Sequence, residues 1–277
     1  GNFWFTEDQK KIDEYLSSNS IDHVVDRVYG FRYEILEEGD GIKAKDGDRV
    51  KVNYSLSLLD GTVIDEDVEA TFTKGARQII DGLEVMLILL RKGDSVRVYV
   101  PSPYAFADQA RGSIPANSIL VYDLEIVDIT YGDYDFDGLL ALNQATIDTF
   151  LIDNEIEASI EPFGGVRYVI TEEGSGPFPK MGEQLMVRYT GRTMSNSGEL
   201  NETPFDSNVS SGNLFNFLFD HGRVIQGWDL AFGQLSEGTK ARIFIPSPYG
   251  YRNRAQTGIP ANSILVFDVE FVRFAEE

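Results

Sequence analysis

The sequence predicts an α+β fold built twice in tandem, each copy an antiparallel sheet packed on one short helix with a longer helix in front of it. Three observations lead there. The two halves repeat each other, each half opens with apolar residues spaced three and four apart, and each continues in β-branched and aromatic runs punctuated by Gly and Pro.

The repeat is plainest where SPYAFADQARGSIPANSILVYDLEIV, from Ser102, is laid over SPYGYRNRAQTGIPANSILVFDVEFV, from Ser247, at an offset of 145 residues. Upstream, FRYEILEEGDG ending at Gly41 matches VRYVITEEGSG ending at Gly176 at an offset of 135. The ten-residue difference falls between Tyr189 and Ile225, so the second copy is expected to carry a longer loop on the same scaffold. These matches place the domains at 1–132 and 133–277, with the acidic stretch Gly132 to Gly138 as the linker.

The leading helices are expected at Glu7 to Leu16 and Leu139 to Ile152. In the second copy, strands are expected at Val166 to Thr171, Gln184 to Thr190, Lys240 to Pro246 and Ser263 to Phe274. Alternation of Val266, Asp268 and Glu270 with Phe267, Val269 and Phe271 suggests a sheet with one buried face. A short helix, Trp228 to Leu235, follows Gly227.

Composition removes several function classes. With 24 Lys and Arg against 45 Asp and Glu, the formal charge is −21, which opposes nucleic acid and anionic lipid as partners. There is no cysteine, so disulfides, thiolate zinc sites and cysteine nucleophiles are excluded. No run approaches the ~18 apolar residues of a membrane helix, so a soluble chain without a transmembrane segment is expected. No signal peptide is expected in the chain, and a start at Gly rather than Met reads as a trimmed mature protein.

In the second copy VRYTG, PFDSN, VIQGW, GQLSEGTKARIFIPSPYGY and GIPANSILVFDVEFV occur in order between Val187 and Val272. In these motifs and their spacing the chain resembles the FKBP-type peptidyl-prolyl cis-trans isomerases. The resemblance implies two tandem domains of that kind, each a half-barrel sheet wrapped on a short helix, with an intact isomerase in the second and a degenerate copy in the first.

The reaction explains the residue types. Rotation about an X–Pro amide meets a barrier of about 18–20 kcal/mol because the planar C–N bond must lose its double-bond character. No nucleophile or cofactor is required. A pocket that binds the twisted, less polar amide better than the planar forms lowers the barrier, at about 1.4 kcal/mol per tenfold in rate. By resemblance, Tyr189, Phe205, Phe215, Trp228 and Phe267 form aromatic walls and floor, with Val224, Ile225 and Ile259 as aliphatic lining. Trp228 receives the proline ring, Tyr251 donates its hydroxyl to one substrate carbonyl, and the Ile225 backbone N–H serves a second. Asp206 faces the twisting amide and steadies Tyr189. Singly, each of these aromatics reads as core and Asp206 as a turn or cap residue; it is the set matched in order that reads as a pocket. Ser211 stands where many family members carry an Arg near the aspartate.

In the first copy Tyr54, Asp65, Ile80 and Ile114 keep their equivalents. Leu83 replaces Trp228, Ala70 replaces Phe215, Ile64 replaces Phe205 and Phe106 replaces Tyr251. This copy is expected to share the fold and to lack activity, with the apolar run Val85 to Leu90 offering a substrate-holding or dimerising surface.

Asp133, Asp135, Asp137 and Gly138 open like a calcium loop, but the twelfth position is Gln144, which lacks the bidentate carboxylate. A solvated linker with Asp137 capping the next helix is expected, and no metal. His23 and His221 lack ligand spacing and are expected at the surface. The partners implied are proline-containing unfolded or flexible polypeptides, and immunosuppressant macrolides. The competing function is a non-catalytic peptide-binding module or chaperone using both copies. Tandem copies led by helices in an acidic, cysteine-free chain further resemble bacterial cell-envelope or periplasmic proteins, lipid-anchored before trimming.

Overall fold

The computed structural model describes residues 3–277, which divide into two compact units, the first ending at Gly132 and the second spanning 133–277. In the first, α1 (Phe3–Ser18) is followed by β1 (Val24–Val25), β2 (Arg32–Glu37), β3 (Arg49–Leu58), β4 (Val63–Thr73), α2 (Asp81–Leu89), β5 (Ser95–Val100) and β6 (Leu120–Thr130). The sheet is antiparallel in the order β1-β2-β5-β6-β3-β4. In the second unit α3 (Phe136–Asp153) precedes β7 (Ser159–Ile160), β8 (Arg167–Glu172), β9 (Gln184–Met194), β10 (Asp206–Ser207), β11 (Phe215–Leu218), α4 (Gln226–Phe232), β12 (Lys240–Ile245) and β13 (Ile264–Phe274). Its sheet runs β10-β9-β13-β12-β8-β7, with β11 also paired to β9. No helix among the described residues is long and apolar enough to cross a membrane.

Strand pairing shows where the copies diverge. Ala70 on β4 faces Val52 on β3 as Phe215 on β11 faces Val187 on β9, and Asp65 faces Leu56 as Asp206 faces Gly191. Six of the ten extra residues therefore lie before Asp206 and four between Asp206 and Phe215. In the first unit β4 is one continuous strand of 11 residues. In the second the same path breaks into β10 and β11, and the Asn208 side chain fills the gap: its Oδ1 accepts from the Tyr189 N–H (2.8 Å), and its Nδ2 donates to the carbonyls of Val187 and Asn213 (3.0 Å each).

The sheet is covered on both faces, not one. Phe267, Val269 and Phe271 point to the α4 side and are buried, as the alternation predicts. Val266, on the opposite face, is buried as well, because Ile147 and Leu151 of α3 pack there with Met194, Phe244 and Ile264. In the first unit Ile12 and Leu16 of α1 cover Tyr99, Ile119 and Val121 in the same way. On the α4 side a glycine sets the approach. A Cβ on Gly227 would meet Ile245 Cγ2 at 2.4 Å, and one on Gly82 of α2 would meet Val100 Cγ1 at 2.4 Å, so only glycine lets these helices lie that close to the strand.

Two further expectations are corrected. The run Val85 to Leu90 offers no surface: Val85, Met86, Leu87, Leu89 and Leu90 are buried, because α2 is the helix that fills the sheet's core side and its apolar residues are consumed there. The cap of α3 is Asp135, not Asp137; its Oδ1 accepts the Gly138 N–H at 3.1 Å, which starts the helix at Phe136, three residues earlier than the apolar spacing predicts.

Candidate functional site

The second unit holds a cavity of about 200 Å³ lined by Tyr189, Phe205, Asp206, Phe215, Arg223, Val224, Ile225, Trp228, Tyr251 and Phe267. Its floor is Trp228, which α4 carries and which is 4% exposed. Five rings hold the indole edge-on or tilted, with centroids at 5.3 Å for Tyr189, Phe232 and Phe267, 5.6 Å for Phe217 and 5.9 Å for Phe215. Such offset contacts suit the ring quadrupoles and fix the indole in one orientation. Phe205 closes the wall against Phe267 at 5.6 Å. Gly191 makes this closure possible, since a Cβ there would meet Phe205 Cζ at 2.5 Å and Phe267 Cε1 at 2.7 Å.

The polar groups sit around this apolar cup. The Tyr189 hydroxyl donates to Asp206 Oδ2 at 2.6 Å, while Asp206 itself stays exposed to solvent. Burial, reinforced by the bond to Asp206 and by that carboxylate's charge, pushes the Tyr189 phenol up to about 12. Burial raises Tyr251 as well, with the Asp206 charge adding to it, so both phenols keep their protons at neutral pH. At the head of α4, Ile225 is the N-cap residue; its carbonyl accepts from Trp228 N at 3.0 Å, and its own N–H is left without a partner among the described residues. Asp229 secures the approach to this corner, accepting from the Asp220 N–H (2.8 Å) and the Gly222 N–H (3.1 Å).

Nine of the ten residues singled out from the sequence line the cavity. Ile259 does not: it is 4% exposed and bonded to Gln256 in a tight hairpin, so it serves the core under the loop. Arg223 lines the cavity without having been anticipated, because a lone Arg beside VIQGW carries no periodic signal; it has no ion-pair or hydrogen-bond partner among the described residues. Ser211, in place of an arginine, turns back to donate to the Asn208 carbonyl at 2.9 Å. His221, expected at the surface, is 3% exposed, with Nδ1 3.1 Å from the Phe219 carbonyl. The loop that carries it is tied to α4 on both sides of His221, where Asp229 accepts from the Asp220 and Gly222 N–H groups. His23 is exposed. Among the described residues no group of three or more His, Asp or Glu is placed to hold a metal.

The first unit differs at the matching points. Tyr54 and Tyr122 stand 5.6 Å apart where the second has Tyr189 and Phe267, and Tyr54 and Asp65 form no hydrogen bond. Leu83 is buried, and the Arg111 guanidinium lies 5.3 Å over the Phe106 ring.

The family model of the FKBP-type peptidyl-prolyl cis-trans isomerases matches residues 40–127 and again 176–272. The chain belongs to this family. It is 24% identical over 248 residues to rat peptidyl-prolyl cis-trans isomerase FKBP9, a match covering 86% of this chain and 37% of that protein. It is 43% identical over 112 residues to FK506-binding protein 1 of Saccharomyces cerevisiae, covering 40% of this chain and 93% of the yeast protein. To FkpA of Aeromonas hydrophila it is 38% identical over 128 residues, covering 44% and 47%. The chain thus spans little more than a third of the length of its FKBP9 relatives, while one FKBP unit of it accounts for nearly all of the yeast protein.

Proposed function

We propose that this FKBP-family chain catalyses cis-trans isomerisation of X–Pro bonds in unfolded or flexible polypeptides, and that the second unit carries the activity. The observation that supports this most is the cavity around Trp228, whose apolar rings and few polar groups suit a reaction that needs no proton transfer and no cofactor. A proline ring resting on the indole sits in a water-poor cup, which favours the twisted amide because rotation lowers the polarity of its carbonyl. The Tyr251 hydroxyl and the Ile225 N–H then hold flanking substrate carbonyls, and the Tyr189–Asp206 pair fixes a carboxylate beside the rotating bond. A lining of apolar rings with few polar groups implies little selectivity for the sequence around proline. The first unit, with Leu83 and Phe106 in place of the indole and the phenol, is read as silent in catalysis.

Assistance to protein folding follows from that activity, because proline isomerisation is slow enough to limit folding. FK506, which the yeast relative's name says that protein binds, and macrolides like it are expected to compete for the same cavity. The tandem, helix-led, cysteine-free architecture is read as that of a bacterial envelope protein; among the matched relatives FkpA comes from a bacterium and FKBP9 from a mammal.

A protease-coupled tetrapeptide assay on the whole chain tests the proposal. Asp206→Ala removes the acceptor of the Tyr189 hydroxyl and the fixed charge, and kcat/KM is expected to fall about tenfold, the equivalent of about 1.4 kcal/mol. Absence of any acceleration by the wild-type chain, with proline peptides still bound, would instead make it a peptide-holding module.

A further inference from the structure

Tyr251 and the Ile225 N–H, the two donors assigned to substrate carbonyls, come from different elements, so something must fix their separation. Tyr251 follows the 3-10 turn Ser247–Tyr249. That turn is anchored from behind by α3, where Asn143, fully buried, accepts from the Ser247 N–H (2.7 Å) and hydroxyl (2.6 Å). The first unit repeats this anchor with Asp8 on Ser102 at 2.7 and 2.5 Å.

What the first unit does not repeat is Arg252. The Arg252 backbone is left-handed, φ 56°, and its N–H donates to the Ser247 carbonyl at 3.1 Å. At the equivalent place Ala107 has φ 51° and donates to the Ser102 carbonyl at 2.9 Å. Alanine therefore suffices for the turn, and the guanidinium has another task. Its Nε donates to the Pro248 carbonyl (3.0 Å) and its Nη2 to Gln226 Oε1 (3.0 Å), while the Phe136 and Tyr134 rings lie against it at 5.5 and 5.8 Å. Gln226 is the first residue of α4 and follows Ile225 directly. Phe136 also packs on Tyr249 at 5.8 Å, whose hydroxyl donates to the Gly164 carbonyl at 2.8 Å.

We infer that Arg252 is a positioning residue for isomerisation, spanning the Tyr251 turn and the head of α4 so that the two substrate donors keep a fixed spacing, with the rings of Tyr134, just ahead of α3, and Phe136, its first residue, holding the guanidinium in place. A planar fork bonded to Pro248 and Gln226 and packed against two rings loses little freedom when substrate arrives, which is the advantage of preorganisation. Lysine cannot reproduce it. The inference rests on the isomerase reading above and gives the segment at 134–136 a part in the site's construction.

The test uses the whole chain in the tetrapeptide assay. Arg252→Ala is expected to lower kcat about tenfold with little change in KM, since it misplaces groups used in the transition state. Arg252→Lys is expected not to rescue it, Gln226→Ala to lower kcat in the same direction, and the double variant to fall less than the product of the single effects. In a Tyr251→Phe background the Arg252→Ala effect should largely vanish, which a general loss of stability would not produce. Unaltered kcat in Arg252→Ala, or an undiminished effect in the Tyr251→Phe background, overturns this inference alone. A wild-type chain without isomerase activity overturns it together with the reading on which it rests.

Discussion

Replacing Trp228 by leucine is expected to reduce kcat/KM for prolyl isomerisation about a hundredfold, the equivalent of about 2.7 kcal/mol of transition-state stabilisation. The indole is the floor of the cavity and the common neighbour of five rings. Truncation to alanine would confuse loss of function with unfolding, because emptying a buried tryptophan site costs about 3–5 kcal/mol. Leucine avoids this. The first unit already carries Leu83 at the equivalent position, buried between the same elements, so the scaffold accepts that side chain. Circular dichroism and thermal melting should show a folded variant, and the assay should show a slow one. A Trp228→Leu chain that isomerises as fast as wild type would mean that the ring contributes packing only.

The second large effect concerns stability. Glu161 is 1% exposed, and its carboxylate accepts the N–H groups of Phe163 (2.8 Å), Gly164 (2.6 Å) and Gly165 (3.2 Å). Glu161→Ala leaves these donors without their acceptor inside the protein, a loss of about 3 kcal/mol. For a unit of this size that lowers the melting temperature by about 10 °C. The damage should reach the site, because the Gly164 carbonyl in this same turn accepts the Tyr249 hydroxyl behind Tyr251. Calorimetry should show the transition of the second unit moving while that of the first stays. An unmoved transition would show that water replaces the carboxylate at little cost.

The aromatic cup was legible because its members sit inside ordered motifs, PFDSN, VIQGW and the strand ending in FDVEFV, whose spacing brings Phe205, Trp228 and Phe267 together. The fold class was legible for a related reason, since a repeat shows twice which residues a scaffold retains. What could not be read follows from what periodicity omits. A strand's alternation says that Phe267 and Val266 face opposite ways, but not that a leading helix waits on the second side to bury Val266 too. The apolar run at Val85 to Leu90 has the composition of a docking surface and of a core helix alike, and only the sheet beneath it decides. Single residues fared worst. His221 and Arg223 carry no pattern, and Asn143 looks like an ordinary polar position on α3 until Ser247 is seen against it. Arg252 would have been visible in the comparison of the copies, as the arginine aligned with Ala107.

The most direct measurement compares the units. Residues 1–132 and 133–277, produced separately and each confirmed folded by circular dichroism, are assayed on the same proline tetrapeptide. We expect 133–277 to retain essentially the rate of the whole chain and 1–132 to leave the uncatalysed rate unchanged. A folded 133–277 without activity, or a 1–132 that matches it, would contradict the assignment of catalysis to the cup over Trp228.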